Sequence, residues 1–283
     1  RLVAAFDHRH IFIDPNPDPA TSFAERQRMF ALGRSSWEDY DRSTMSEGGF
    51  IVPRSAKEVK ITPEAREALG LDPTVESLDG ENLVRAVLKA PAELLWNGGI
   101  GTYVKAPEET NAEVGDPAND PVRVNAGELR CKVIGEGGNL GFTQAARIAF
   151  ARQGGHINTD ALDNSAGVDM SDHEVNLKIL LGPLVRSGRL PEAERNALLE
   201  RMTDDVSRLV LHNNFHQSLA VSLDSERSRA ALGDFTALIT SLERERMLDR
   251  AAEGIPPSEV LAEYTAEGKG LSRPTLCVLL AHA

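Results

Sequence analysis

Cys131-Lys132-Val133-Ile134-Gly135-Glu136-Gly137-Gly138-Asn139-Leu140-Gly141 runs a short apolar segment into a glycine-rich polar loop, and Thr143 then offers a hydroxyl to the start of a helix. A short apolar run of this kind is expected of a parallel strand buried on both faces. The same order occurs upstream, where Leu94-Leu95-Trp96 leads into Asn97-Gly98-Gly99-Ile100-Gly101-Thr102-Tyr103. It recurs downstream, where residues 156–159 precede Asp163-Asn164-Ser165-Ala166-Gly167-Val168-Asp169-Met170-Ser171. A further apolar run, residues 2–6, ends at Asp7. Strands at 2–6, 94–96, 131–135 and 156–159, with helices between them, read as βαβ units with right-handed crossovers. The expected fold class is α/β: a Rossmann-like, doubly wound, mainly parallel sheet, incomplete at its N-terminus, followed by an all-helical region.

The helices carry punctuation. Ser22-Phe23-Ala24-Glu25 has the form of a capping box, opening a helix to about Leu32. Thr62-Pro63 places a hydroxyl at an N-cap and Pro in the first turn, with Gly70 closing that helix. Asp79 caps a helix through Leu83, Val84, Val87 and Leu88 that stops at Pro91, and Thr143 caps one ending at Gly154-Gly155. The prolines of Asp14-Pro15-Asn16-Pro17-Asp18-Pro19 exclude strand interior, and residues 106–121 read as an exposed excursion. Beyond Gly182-Pro183 the pattern becomes helical: Leu198, Leu199, Met202, Val206, Leu209 and Val210 form one apolar stripe, and Phe235, Leu238, Ile239 and Leu242 a second. Pro256-Pro257-Ser258 and Ser272-Arg273-Pro274 start two more helices. Two domains follow, residues 1–182 and 183–283, with the boundary inside the helix after Ser171.

Composition narrows the function. The 283 residues hold 31 Lys and Arg against 43 Asp and Glu, a net charge of −12, which argues against a nucleic-acid partner. No apolar run approaches the roughly 18 residues of a membrane span. Cys131 and Cys277 stand far apart in apolar surroundings, which suits a reducing cytosol, and the chain is expected to be cytoplasmic. No zinc spacing occurs; His212 and His216 are the only His pair four residues apart, and no metal site is expected. The chain opens not on Met but directly on an apolar strand, so a preceding segment is expected.

Three polar loops after three successive strands point to a ligand crevice, since open parallel sheets bind ligands beyond the carboxyl ends of their strands. Asp7, at a strand end, suits either the hydroxyls of an adenine ribose or its own turn. The glycine loop that would accompany the ribose role lies some 20 residues earlier in such folds, before this chain begins. Asn97, Gly98 and Gly99 form either a ligand-approaching backbone or a plain turn. Glu136, Gly137, Gly138 and Asn139 occupy the same end of the next strand, beside a helix N-terminus but without the Gly-Lys-Ser/Thr of a P-loop. Ser171-Asp172-His173-Glu174 satisfies the capping box, so Ser171 is expected to be an N-cap; a helix end there would also favour a ligand carboxylate. The Asn213-Asn214 pair interrupts an apolar stripe, either as a solvated edge or as an approach to the crevice.

Together and in order, these loops resemble amino-acid dehydrogenases of the glutamate dehydrogenase type. Glu136-Gly137-Gly138-Asn139 is similar to the family's Glu-Gly-Ala-Asn loop, and Asn164-Ser165-Ala166-Gly167-Val168 with Ser171 and Glu174 to its Asn-Ala-Gly-Gly-Val…Ser…Glu motif. Residues 6–15 and 96–104 resemble, more specifically, the large bacterial NAD-specific glutamate dehydrogenases. The resemblance covers about residues 1–182 and continues weakly into the helical tail.

The resemblance implies oxidative deamination of L-glutamate to 2-oxoglutarate and ammonia with NAD as cofactor. It implies that Asp7 binds the adenine ribose and disfavours NADP. Asn97, Gly98, Gly99, Glu136, Gly137, Gly138 and Asn139 would line the nicotinamide side, and Asn164 the nicotinamide ribose and substrate. Val168 would pack on the substrate chain and Ser171 would bind its distal carboxylate. The family's catalytic Lys and Asp belong to an upstream domain whose motifs do not occur here, so no catalytic residue is expected in this chain and it should be inactive alone. The expected partners are that upstream domain and further copies in a homo-oligomer. Two other readings remain: a nicotinamide-dependent dehydrogenase of another amino acid, or a regulatory or assembly module that kept the fold without catalysis.

Overall fold

The computed structural model describes residues 1–282. The chain is mixed α/β and folds as two compact units. The first comprises Arg1–Leu95, Gly99–Ile134 and Gly141–His156; the second comprises Trp96–Gly98, Gly135–Leu140 and the described residues from Ile157 onward.

The first unit opens on β1 (Ala4–Phe6) and β2 (His10–Ile13), joined by a tight turn. Helix α1 (Pro19–Phe30) follows, then β3 (Phe50–Pro53), and β2 pairs antiparallel with both β1 and β3. The expected parallel pairing of residues 2–6 is therefore corrected. Asp7 turns the chain straight back, so the neighbour of β1 is the next four residues rather than the product of a crossover. His10-Ile11-Phe12-Ile13, not expected as a strand, is the buried centre of this sheet. Phe12 packs with Tyr40, Ile51 and the stacked ring of Trp37 at 4.7 Å.

Next come β4 (Val59–Lys60), α2 (Pro63–Ala68), β5 (Ser77–Leu78) and α3 (Gly80–Leu88), with Thr62 and Asp79 capping the two helices as expected. Helix α1, in contrast, begins earlier than its capping-box pattern indicates. Asp18 accepts the Thr21 amide and Pro19 takes the first turn, which leaves Ser22 buried inside the helix.

Strand β6 (Leu94–Asn97) precedes β7 (Val104–Lys105), the short helix α4 (Asn111–Val114), β8 (Val124–Asn125) and β9 (Val133–Glu136). β7 and β8 run parallel. β6 pairs with β9: the Val133 amide bonds the Glu93 carbonyl and the Gly137 amide the Asn97 carbonyl, advancing in one direction on both strands. A single parallel bridge, Val133 to His156, is what forms of the strand expected at 156–159. No extensive parallel sheet is formed by the described residues; runs of two to four residues give separate small sheets. Nor are these strands buried on both faces, because Leu94, Trp96 and Val133 are 54%, 62% and 40% exposed. The excursion at 106–121 is tied down from within by Arg123, whose fully buried guanidinium bonds the Thr102 and Asp116 carbonyls, Asn111 and Asp120. Thr143 caps α5 (Gln144–Arg152), which completes the first unit.

The second unit is helical apart from the ends of β6 and β9. It contains α6 (Asp160–Asp163), α7 (Ser165–Arg186), the 39-residue α8 (Glu192–Ala230), α9 (Leu232–Arg244), α10 (Ser258–Ala266) and α11 (Arg273–His282). Its core joins Leu162 and Val221 to Phe235, Ile239, Leu242, Leu261, Leu276 and Cys277. The second expected apolar stripe thus forms the buried face of α9, whereas Leu209 of the first is exposed.

Candidate functional site

In the second unit three of the predicted loop segments meet. The Asn97 carbonyl, at the end of β6, accepts both the Gly137 amide at 2.8 Å and the Gly138 amide at 3.0 Å. Asn164 donates from Nδ2 to Oδ1 of Asn139 at 2.8 Å. Directly after β9, Gly137 and Gly138 are therefore held by the end of β6 and Asn139 by the residue that starts α7. Leu140 sits at φ +57°, an uncommon conformation for a residue with a bulky side chain, and its amide is fixed by Asp160 at 2.7 Å.

The strand end is anchored by a polar relay. Glu136 is fully buried, and its amide bonds the Asp163 carboxylate at 2.9 Å. Asp163 also accepts Nδ2 of Asn158 at 2.7 Å, and Oδ1 of Asn158 accepts Nε of Arg273 at 2.8 Å. Arg273 reaches on to Ser222 at 3.0 Å, so α11 and α8 share in holding the loop. Charge-assisted bonds of this kind are stronger than neutral ones and fix geometry well.

Trp96 lies over the end of β9. A Cβ on Gly135 would come within 2.6 Å of its ring, and one on Gly137 would collide with the ring's far edge. Glycine at both positions is thus what lets the indole lie against the backbone. Nδ2 of Asn97, the residue after Trp96, is enclosed without a hydrogen-bond partner among the described residues.

Helix α7 presents the remaining residues. Val168 lines an open groove of about 620 Å³ with Ser165, Asp169, Asp172, Asn213 and His216. Asn214 donates to the Leu162 carbonyl at 2.9 Å and to Ser165 at 2.8 Å, and Asn213 donates to Asp169 at 2.8 Å. The paired asparagines therefore stitch α8 to α6 and α7. Ser171 is not an N-cap. The helix starts at Asn164–Ser165, because Ser165 through Met170 continue it toward its N-terminus with only Gly167 as a poor helix former, leaving Ser171 two turns inside. Glu174, its expected capping partner, instead pairs with Lys178 at 2.5 Å. The helix-end support for carboxylate binding at Ser171 disappears with that cap.

Asp7 and Gly99 belong to the first unit. Oδ1 of Asp7 accepts the Arg9 and His10 amides, both at 2.7 Å, closing the turn between β1 and β2. Its turn-forming role is thus visible in the fold. Gly99 has open space where a side chain would be. Among the described residues no group of three or more His, Cys, Asp or Glu has metal-site geometry, and no helix is long and apolar enough to cross a membrane.

The family model for the bacterial NAD-glutamate dehydrogenase catalytic domain matches residues 1–224. The chain belongs to that family. Over its whole length it is 54% identical to an NAD-specific glutamate dehydrogenase of Pseudomonas aeruginosa, 52% to one of Mycobacterium tuberculosis and 50% to one of Halomonas elongata. The chain spans 17–18% of the length of these curated relatives.

In this member of the bacterial NAD-glutamate dehydrogenase family, the sequence pattern alone gives no role to Asp163, Asn158 or Arg273. Asp163 heads the third glycine-bearing loop, and Asn158 lies five residues before it in the expected strand. Arg273 is 115 residues from its partner Asn158, so no local pattern could expose it. Trp96 directly precedes its glycine-rich loop, but its place over two glycines requires the pairing of β6 with β9.

Proposed function

We propose that this chain is the nucleotide-binding part of an NAD-dependent glutamate dehydrogenase, residues 1–182, with residues 183–283 as its helical tail. The reaction converts L-glutamate, NAD⁺ and water to 2-oxoglutarate, ammonium, NADH and a proton. Bound NAD supplies the hydride acceptor, while the chain's own residues bind, orient and exclude water. Asn97, Gly98 and Gly99 with Glu136, Gly137, Gly138 and Asn139 line the nicotinamide side. Asn164 serves the nicotinamide ribose and substrate, Val168 packs on the substrate chain, and Ser171 bonds its distal carboxylate. The second oxygen of Asp7 takes the adenine ribose hydroxyls while the first keeps the turn. The enclosed, unpartnered amide of Asn97 fits a ligand carbonyl.

The observation that carries this reading is the joining of Asn97, Gly137, Gly138, Asn139 and Asn164 by direct hydrogen bonds. A Rossmann-like arrangement belongs to the proposal too, supported by the parallel steps from β6 to β9 and on to His156. So do a catalytic Lys and Asp supplied from an upstream domain, a cytoplasmic location and a homo-oligomer, the last supported by exposed Ile179, Leu180, Leu211 and Phe215 on α7 and α8.

The test is NAD-linked glutamate oxidation by a full-length enzyme containing this chain, beside the chain alone. Activity in the first and none in the second is expected. A folded full-length enzyme inactive on glutamate but active on another amino acid moves the substrate assignment. One that binds no NAD makes the chain a non-catalytic module.

A further inference from the structure

We propose that Trp96 is a positioning residue for the oxidised nicotinamide ring, its indole face favouring NAD⁺ over NADH. This rests on the dehydrogenase reading above and adds a residue and a preference to it. Trp96 is 62% exposed although it lies in a strand, next to the Asn97 carbonyl that organises the Gly137-Gly138 turn. One face of the indole is seated on Gly135 and Gly137, where any side chain would strike it. Two positions are thus kept without side chains so that a large ring can lie flat at the strand end, its other face available. The only other Trp of the chain, Trp37, is stacked on Phe12 in the first unit.

The chemistry of that face selects its ligand. Indole offers the strongest cation–π surface among the side chains, and a planar cation laid on it gains both stacking and electrostatic attraction. The oxidised nicotinamide is a pyridinium cation, whereas the reduced ring is a neutral dihydropyridine. An indole under the ring therefore holds substrate cofactor more tightly than product cofactor, which eases product release in the oxidative direction. Adenine, uncharged and planar, would stack without distinguishing the two redox forms.

The test uses the full-length enzyme with Trp96→Leu, which keeps apolar bulk, and Trp96→Phe, which keeps a weaker π face. Dissociation constants are measured calorimetrically for NAD⁺, NADH and ADP-ribose, with the near-ultraviolet difference spectrum of bound NAD⁺ as an optical signature. Trp96→Leu should weaken NAD⁺ about tenfold and NADH less than twofold, with Trp96→Phe between. ADP-ribose, which lacks the nicotinamide, should bind as in the wild type and so report an intact site. An indole–pyridinium charge-transfer band should be present in the wild type and lost in Trp96→Leu. Equal weakening of NAD⁺ and NADH, or weaker ADP-ribose binding in both variants, would overturn the proposal in favour of packing or adenine stacking. Unchanged constants in both variants, with a wild type that binds NAD⁺, overturn it alone. A wild type that binds neither form of NAD overturns it together with the dehydrogenase reading.

Discussion

At the scale of single residues, Asp7 closes a turn, and the ribose role proposed for it is separable from that. Its Oδ1 closes the turn between the first two strands, and the negative charge is what would repel a 2′-phosphate. Asp7→Asn keeps an oxygen acceptor and removes the charge, whereas Asp7→Ala removes both. Asp7→Ala should cost about 1–2 kcal/mol by denaturant unfolding, from two lost amide acceptor contacts. Asp7→Asn should cost little and relax discrimination against NADP in the full-length enzyme. Equal cofactor preference in wild type and Asp7→Asn would leave Asp7 with the turn alone. Gly135 supplies a second test. Gly135→Ala should destabilise by about 1–3 kcal/mol because its Cβ meets the Trp96 ring. Combining it with Trp96→Leu should recover much of that cost in a double-mutant cycle. The glycines were legible as a mobile loop; that two of them make room for an indole was not, since the contact crosses from one strand to another.

At the scale of elements, the caps at Thr62, Asp79 and Thr143 were legible, whereas the capping-box patterns at Ser22 and Ser171 were not caps. Thr62, Asp79 and Thr143 each accept an amide of the helix they precede, as expected. Ser22 and Ser171 match the capping box yet lie inside α1 and α7, because the residues before them can extend a helix. A Ser-x-x-Glu pattern also fits one exposed helical face, and only the start of the hydrogen-bond ladder separates the two cases. Ser171→Ala should therefore shift stability by less than about 0.5 kcal/mol, below the range for a lost N-cap. Asn214→Ala, which removes both bonds from α8 to Leu162 and Ser165, should cost about 1–2 kcal/mol. A thermal melt of the two variants, read side by side, checks the order.

At the scale of the whole molecule, acid and thiol chemistry report the folding of the two units. Arg28's guanidinium and the Asp41 amide hold the Glu25 carboxyl below its ordinary 4.5, and the Thr102 amide with the Asn119 side chain holds Asp116 below 3.8. A lowered native value means that the stabilisation is complete above the unfolded value and is lost as pH falls through the native one. The melting temperature should thus be flat with respect to these groups above about pH 5 and fall below about pH 4. Glu25→Gln should flatten that fall; an acid profile identical to the wild type would remove Glu25 from it. Burial pushes the Cys131 thiol up to about 11 and raises Cys277 as well. Both should resist a thiol reagent at pH 8 in the native state and react on unfolding, because thiolate is the nucleophile.

By itself the sequence determined the mixed α/β class, the helical second half, most helix caps and the glycine-bearing loops after the strands, all set by neighbours within a turn of helix or a strand and its loop. Tertiary structure decided what depends on distant partners. It made the first sheet antiparallel, because Asp7 folds the chain back at once. It brought Asn97, Asn139 and Asn164 together, anchored that loop through Arg273, and laid Trp96 on two glycines of a distant strand end. None of those contacts leaves a periodic trace, because the residues that make them are local neighbours only after the chain has folded.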